Sequence, residues 1–241
     1  MFLQRFDPDS CTYTYLLSDD VSGEAVLIDP VLTQVERDLA LLQQHGLQLV
    51  TVLDTHVHAD HITAAAALKA ATGAPSAVGA DCNAAGYDRA LNDGDDILFG
   101  AQRLHAIATP GHTPGSMSFL WEADEHPPRV FTGDTLLIGG CGRTDFQGGS
   151  SEQLWDSVTR RLFDLPGETR VLPGHDYHGL TESSIAAEKR DNPRFVGHTR
   201  DSFVAQMAAL KLPPPRHIAE AVPANKRAGA PPDVAEEIQQ A

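Results

Sequence analysis

His56-Val57-His58-Ala59-Asp60-His61 gathers four metal-ligating side chains into six residues, directly after the apolar run Leu49-Val50-Thr51-Val52-Leu53. That run is rich in β-branched residues and reads as a buried strand. In an extended segment alternate side chains share a face, so His56 and His58 can address one ion while Val57 turns away. Asp60 and His61 follow where Ile62 to Ala71 opens an Ala-rich helix ended by Gly73. Chemistry is therefore expected where the strand ends.

Three later turns repeat the theme. His112 lies in Thr109-Pro110-Gly111-His112-Thr113-Pro114-Gly115, Asp134 in Thr132-Gly133-Asp134-Thr135, and His175 in Pro173-Gly174-His175-Asp176. Imidazole and carboxylate without thiolate form the ligand set of catalytic zinc, iron or manganese rather than of a closed structural zinc. Taken singly, each residue has a plainer account: Asp60 as a helix cap, His56 and His58 as polar loop residues, Asp134 and His175 as surface groups. Taken together and in this order, they indicate a metalloenzyme.

The joint pattern resembles the signature of the metallo-β-lactamase superfamily over residues 11 to 178. The resemblance implies an α/β fold, an αββα sandwich of the metallo-β-lactamase type. The rest of the chain fits. Thr12 to Leu17 and Ala25 to Asp29 read as a hairpin around Asp19 to Gly23, and Val35 to Gln44 as a helix ending at Gly46. Further strands are expected over Asp95 to Phe99, Arg103 to Ala108, Ser116 to Trp121 and Arg129 to Phe131. The second half repeats the plan with a helix over Glu152 to Phe163 and a strand over Arg170 to Leu172. Helices over Glu182 to Arg190 and Ser202 to Leu210 follow. Pro213-Pro214-Pro215 then breaks the helical pattern, giving a single domain over residues 1–241 with an irregular tail from about 212.

Composition bounds the partners. The formal charge of −15 disfavours nucleic acid or an anionic membrane surface, since both would be repelled. No stretch approaches the roughly 20 apolar residues of a membrane span. Met1 to Pro8 lacks the charged start and apolar core of a secretion signal, so a cytoplasmic protein is expected. Three scattered cysteines, Cys11, Cys82 and Cys141, make no disulfide framework. A homodimer is left open.

The segment that narrows the chemistry is Gly139-Gly140-Cys141-Gly142-Arg143-Thr144-Asp145-Phe146-Gln147-Gly148-Gly149. With His175-Asp176-Tyr177-His178-Gly179, Asn192-Pro193-Arg194 and Val222-Pro223-Ala224-Asn225, it closely resembles the persulfide dioxygenases. That resemblance implies oxidation of glutathione persulfide by O2 to sulfite and glutathione. It implies one Fe(II) per chain, held by His56, His112 and Asp134 with coordination positions open for substrate and oxygen. His58, Asp60, His61 and His175 then orient ligands and water. They also complete the seven-residue set of a binuclear zinc glutathione thioesterase of the glyoxalase II type, so ligand identity alone does not choose. A non-catalytic metal-binding or sensing module is a further alternative, to which the intact facial ligands run counter.

Arg143 is the expected partner of a glutathione carboxylate, by bidentate hydrogen bonding; its plainer account is a pair with Asp145 that shapes the loop, and both roles can coexist. Tyr177 is a candidate hydrogen-bond donor to the glutathione backbone, or a packed aromatic. Cys141 is a candidate wall of the persulfide pocket, or a structural thiol. The Gly-rich run lacks the Lys-Ser/Thr ending of a phosphate loop, so nucleotide binding is not expected.

Overall fold

The computed structural model describes residues 1–123, 126–215 and 217–232, which group into two compact units. The first comprises Met1–Leu91, Leu98–Gln102 and the described residues from Pro214 on. Its six-stranded mixed sheet runs in chain order: β1 (Phe2–Asp7), β2 (Thr12–Ser18), β3 (Glu24–Ile28), β4 (Gln48–Leu53), β5 (Ser76–Gly79) and β6 (Arg89–Leu91). β1 to β3 pair antiparallel, and β3 to β6 pair parallel. Parallel neighbours need a crossover. Helix α1 (Val35–His45) joins β3 to β4, and α2 (Ala65–Thr72) joins β4 to β5. Both helices end at a left-handed glycine, Gly46 at φ 62° and Gly73 at φ 79°. Leu16, Leu27, Val52 and Leu68, each almost wholly shielded from solvent, make the centre of this unit's core.

The second unit comprises Asn92–Ile97 and Arg103–Pro213. β7 (Asp96–Phe99), β8 (Gln102–Ala108), β9 (Met117–Trp121), β10 (Arg129–Gly133), β11 (Arg170–Pro173) and β12 (Ser183–Ser184) form its sheet, again in chain order. β10 and β11 run parallel, and between them comes α3 (Ser151–Ser157), which continues through a wider turn over Val158–Leu162. α4 (Ile185–Asp191) and α5 (Arg200–Ala208) follow. Leu154, Val158, Phe203 and Ile185 pack against Val130 and Val171 of the sheet. Two mixed sheets, each with its own helices, supply the layers expected of the fold class.

Five elements differ from the sequence reading. β1, β5, β6 and β12 were not anticipated: β5 and β6 have four and three residues, too few for a periodic signal, β1 takes its register from β2 rather than from its own pattern, and Ser183–Ser184, expected in a helix from Glu182, instead pair with β11 before α4 starts at Ile185. The tail expected to be irregular from about 212 instead contains a helix, α6 (Ile218–Asn225), with Pro223 inside it. In a helix of eight residues the missing proline N–H forfeits a single i to i−4 bond, which burial of Ala221 and Ala224 offsets. The last part of that tail lies outside the described residues. Among the described residues, no helix is long and apolar enough to cross a membrane.

Candidate metal centre

In the first unit, adjacent strands β3 and β4 pair Ile28 with Leu53, and each is followed immediately by a buried carboxylate, Asp29 and Asp54. A buried charge persists only when it is hydrogen-bonded. Asp29, at φ 51°, accepts from the Thr55 N–H at 2.7 Å and the Thr55 hydroxyl at 2.9 Å, and lies 3.0 Å from His58 Nε2. Asp54 accepts from the Thr63 hydroxyl at 2.8 Å and the Tyr87 hydroxyl at 2.5 Å. Strand-end carboxylates thus pin both ends of the turn that carries the His motif.

These contacts set the imidazole tautomers. The single Thr55 hydroxyl proton goes to Asp29, so at 3.0 Å from His56 Nδ1 that oxygen accepts, and Nδ1 carries the proton. The lone pair is then on His56 Nε2, as a metal ligand requires. His61 is held through Nδ1 by Asp60 at 2.8 Å and by the Thr12 hydroxyl at 3.2 Å. The rings of His56 and His58 are centred 4.1 Å apart, and those of His58 and His61 4.3 Å apart. The ligand-type atoms of Asp29, Asp54 and His58 lie within 4.8 Å of one another. Burial works to depress the His58 pKa, but Asp29 first and Asp54 next outweigh it, raising it to about 9. Burial lifts Asp54 to about 6 against the opposing pull of His58.

In the second unit, His112 follows β8 and donates from Nδ1 to the Arg143 carbonyl at 2.7 Å. Its Nε2 lies 3.6 Å from Asp134 Oδ2, and the other carboxylate oxygen accepts from His175 Nδ1 at 2.6 Å. Asp134 comes off β10 and His175 off its parallel neighbour β11, which is why residues 41 apart in sequence meet. Gly142 makes the packing possible. A Cβ there would stand 2.3 Å from the Asp134 carbonyl and 2.8 Å from His112 Nδ1. The donor atoms fit a divalent iron or zinc ion: neutral imidazole Nε2 atoms and one carboxylate oxygen, each fixed by a bond through its opposite atom.

The remaining candidates, Arg143, Tyr177 and Cys141, lie in different surroundings. Arg143 makes a bidentate pair with Asp145 at 2.7 and 2.8 Å and donates to the Pro213 carbonyl at 2.6 Å. Its guanidinium also covers the Phe146 ring at 4.4 Å. This ties the Gly-rich loop to the chain after α5. Tyr177 is 66% exposed and stacks on His175 at 6.3 Å. Cys141 packs on the second unit's core with its sulfur 4.0 Å from that of Met207, and burial pushes its thiol up to about 12. Alkylation should show this. At pH 8, peptide mapping after iodoacetamide should find Cys141 reacting at least about a hundredfold more slowly than an unhindered thiol, since only thiolate attacks; comparable rates would return Cys141 to the pocket wall.

Asp29, Asp54, Thr55, Thr63 and Asn225 were not singled out from the sequence as supports of the motif. A carboxylate directly after an apolar strand was the available signal for the first two. Asn225, at 0% exposure, is reached only through folding.

Comparison with known proteins places these observations. The metallo-β-lactamase superfamily profile matches residues 8–175. The mitochondrial persulfide dioxygenase ETHE1 of Bos taurus is 48% identical over 226 residues, 94% of this chain and 87% of the relative. The crystal structure of ETHE1 from Myxococcus xanthus superposes with a TM-score of 0.92 at 50% identity, covering 95% of this chain and all of that one. A structure of TTHA1623 in a di-iron-bound form superposes with a TM-score of 0.64 at 31% identity, covering 79% of this chain and 98% of that one.

Proposed function

The chain belongs to the persulfide dioxygenase family of the metallo-β-lactamase superfamily, and on that premise we propose the ion, the ligands and the persulfide that serve its reaction. It is an oxidoreductase that uses O2 to oxidise a persulfide. The substrate is glutathione persulfide. One persulfide, one O2 and one water give glutathione and sulfite: the S–S bond breaks, the terminal sulfur is oxidised and O2 is reduced.

We assign the ion as Fe(II), one per chain, with His56, His112 and Asp134 as ligands. Ferrous iron, unlike zinc, supplies an accessible redox couple and open positions for a soft anionic sulfur and for oxygen. The chain's own residues prepare those ligands. Thr55 and the Arg143 carbonyl keep the proton on Nδ1 of His56 and His112, which leaves Nε2 as donor. His175 holds one oxygen of Asp134, so that the other is the ligand atom. His58, Asp60 and His61 line the same turn and serve to fix its geometry and bind water. Arg143 and Asp145 shape the loop beside His112, and we assign the glutathione backbone to the hydroxyl of Tyr177, a reading that its exposure beside His175 supports.

The observation that carries this reading is the identity to a persulfide dioxygenase across 94% of the chain. A binuclear glutathione thioesterase is the second reading, favoured by the intact His58, Asp60, His61 and His175. Protein purified anaerobically should hold about one iron per chain and consume O2 on addition of glutathione persulfide, with sulfite as product. Two zinc ions, no O2 uptake and hydrolysis of S-lactoylglutathione would establish the thioesterase. We place the enzyme in the cytoplasm without nucleic-acid or membrane partners; its net charge of −15 favours the latter. Cell fractionation tests the compartment, which for the bovine relative is named as mitochondrial, and light scattering tests a homodimer.

A further inference from the structure

Asn225 closes α6 with its side chain wholly buried. Its Nδ2 donates to the carbonyls of His58 at 2.9 Å and His61 at 2.8 Å. Its Oδ1 accepts from the Thr63 N–H at 2.9 Å. Both amide protons and one lone pair are therefore spent on the backbone of the metal-ligand turn, across more than 160 residues of sequence. Few side chains can do this. Aspartate has no donor, serine and threonine have one, and glutamine is a methylene too long.

The segment around Asn225 has no slack. The Ala228 carbonyl accepts from Ala66 N–H at 2.8 Å, at the start of α2, and the Lys226 carbonyl accepts from Gly86 N–H at 3.1 Å. A Cβ on Gly229 would stand 2.2 Å from the Thr63 carbonyl, and one on Gly86 would stand 2.3 Å from the Arg227 backbone. Glycine at both positions lets main chain lie against main chain. Ala228, at φ 56° and 2% exposed, sits in the same core cluster as Leu68 of α2. Asp29 thus holds the turn at Thr55, Asp54 and the Val31 bridge hold it at Thr63, and Asn225 reaches the backbone of His58, His61 and Thr63 between and at these points.

We infer that Asn225 is a positioning residue for the metal centre, acting from the carboxy-terminal helix through the backbone of His58, His61 and Thr63. This rests on the reading of His56 as a ligand. Among the described residues, only the end of the turn has backbone pairing of its own, the Val31–Thr63 bridge with Leu32 N–H on the Ile62 carbonyl and Ala64 N–H on the Pro30 carbonyl, each at 2.8 Å, so from His56 to His61 the aim of the ring nitrogens depends on side-chain partners. Removing a partner of this kind characteristically weakens metal binding by about 10- to 100-fold.

The test compares Asn225→Ala with Leu42→Ala, a truncation on α1 in the same core cluster that touches no hydrogen bond of the turn, once their melting temperatures are known. Iron-loaded Asn225→Ala should release its metal to a ferrous chelator at least about tenfold faster than Leu42→Ala. The electron paramagnetic resonance line shape of its nitric oxide adduct should also differ from wild type. Asn225→Ser, with one donor and one acceptor, should fall between them, and it carries the comparison if Asn225→Ala does not fold. Release rates and line shapes matching those of Leu42→Ala would overturn the inference and leave Asn225 a staple for the tail. If the wild-type protein holds zinc, the iron reading fails, while the same release comparison with zinc still decides the role of Asn225.

Discussion

Asp134→Ala is expected to emerge from purification with less than about a tenth of the wild-type iron and with kcat/KM for glutathione persulfide down by on the order of a thousandfold or more. Asp134 is the anionic member of the assigned ligand set, so the substitution removes charge as well as an oxygen. It also strands His175 Nδ1, now 2.6 Å from Asp134 Oδ1. Asp134→Asn separates the two losses. The amide oxygen can still accept from His175, so the turn should hold its shape and melt close to wild type, yet the neutral ligand should bind iron poorly. Metal analysis and O2 uptake on the same preparations check both variants. A purified Asp134→Ala protein with full activity would end the assignment of this carboxylate as a ligand.

The candidate ligands stand out in the sequence because each follows a strand whose apolar pattern is plain. β4 leads into His56, β8 toward His112 and β10 into Asp134, while β11 leads into His175, which holds Asp134, and the segments expected there match those observed to within a few residues. The helix stops at Gly46 and Gly73 were equally plain, since a left-handed cap selects glycine. What escaped was whatever depends on a distant partner. β6 has three residues and exists because it lies beside β5. α6 was hidden by Pro223 and by the prolines before it, signals that locally mean chain irregularity but here precede a helix buried against the first unit's own turn. Asn225 stood in a stretch quoted only for its family likeness, and nothing in its neighbours tells that its amide meets the His motif. At Arg143 the structure shows the loop-shaping half of the sequence reading, a guanidinium held by Asp145, the Pro213 carbonyl and the Phe146 ring, and the glutathione carboxylate contact stands beside it as a proposal.

The largest stability effect outside the metal ligands is expected at Asp29. Asp29→Ala leaves the Thr55 N–H, the Thr55 hydroxyl and His58 Nε2 without their common acceptor in a site almost free of solvent. Breaking a buried charged pair from one side costs roughly 3–5 kcal/mol. For a chain of this size that is a fall in melting temperature of roughly 10 °C. Asp29→Asn isolates the electrostatic share. In the wild-type protein His58 has its pKa raised from 6.5 to about 9, with Asp29 as the main cause opposing burial. A raised folded-state value makes protonated His58 stabilising. That contribution is complete below pH 6.5 and disappears as the pH climbs toward 9. Metal-free wild-type protein should therefore lose stability over this window, and metal-free Asp29→Asn should lose much less, because its His58 no longer faces the carboxylate that raised it. Denaturant titrations of both proteins at pH 6 and pH 9 measure the difference. Equal losses would mean that another group governs the window and that Asp29 acts on the turn through Thr55 alone.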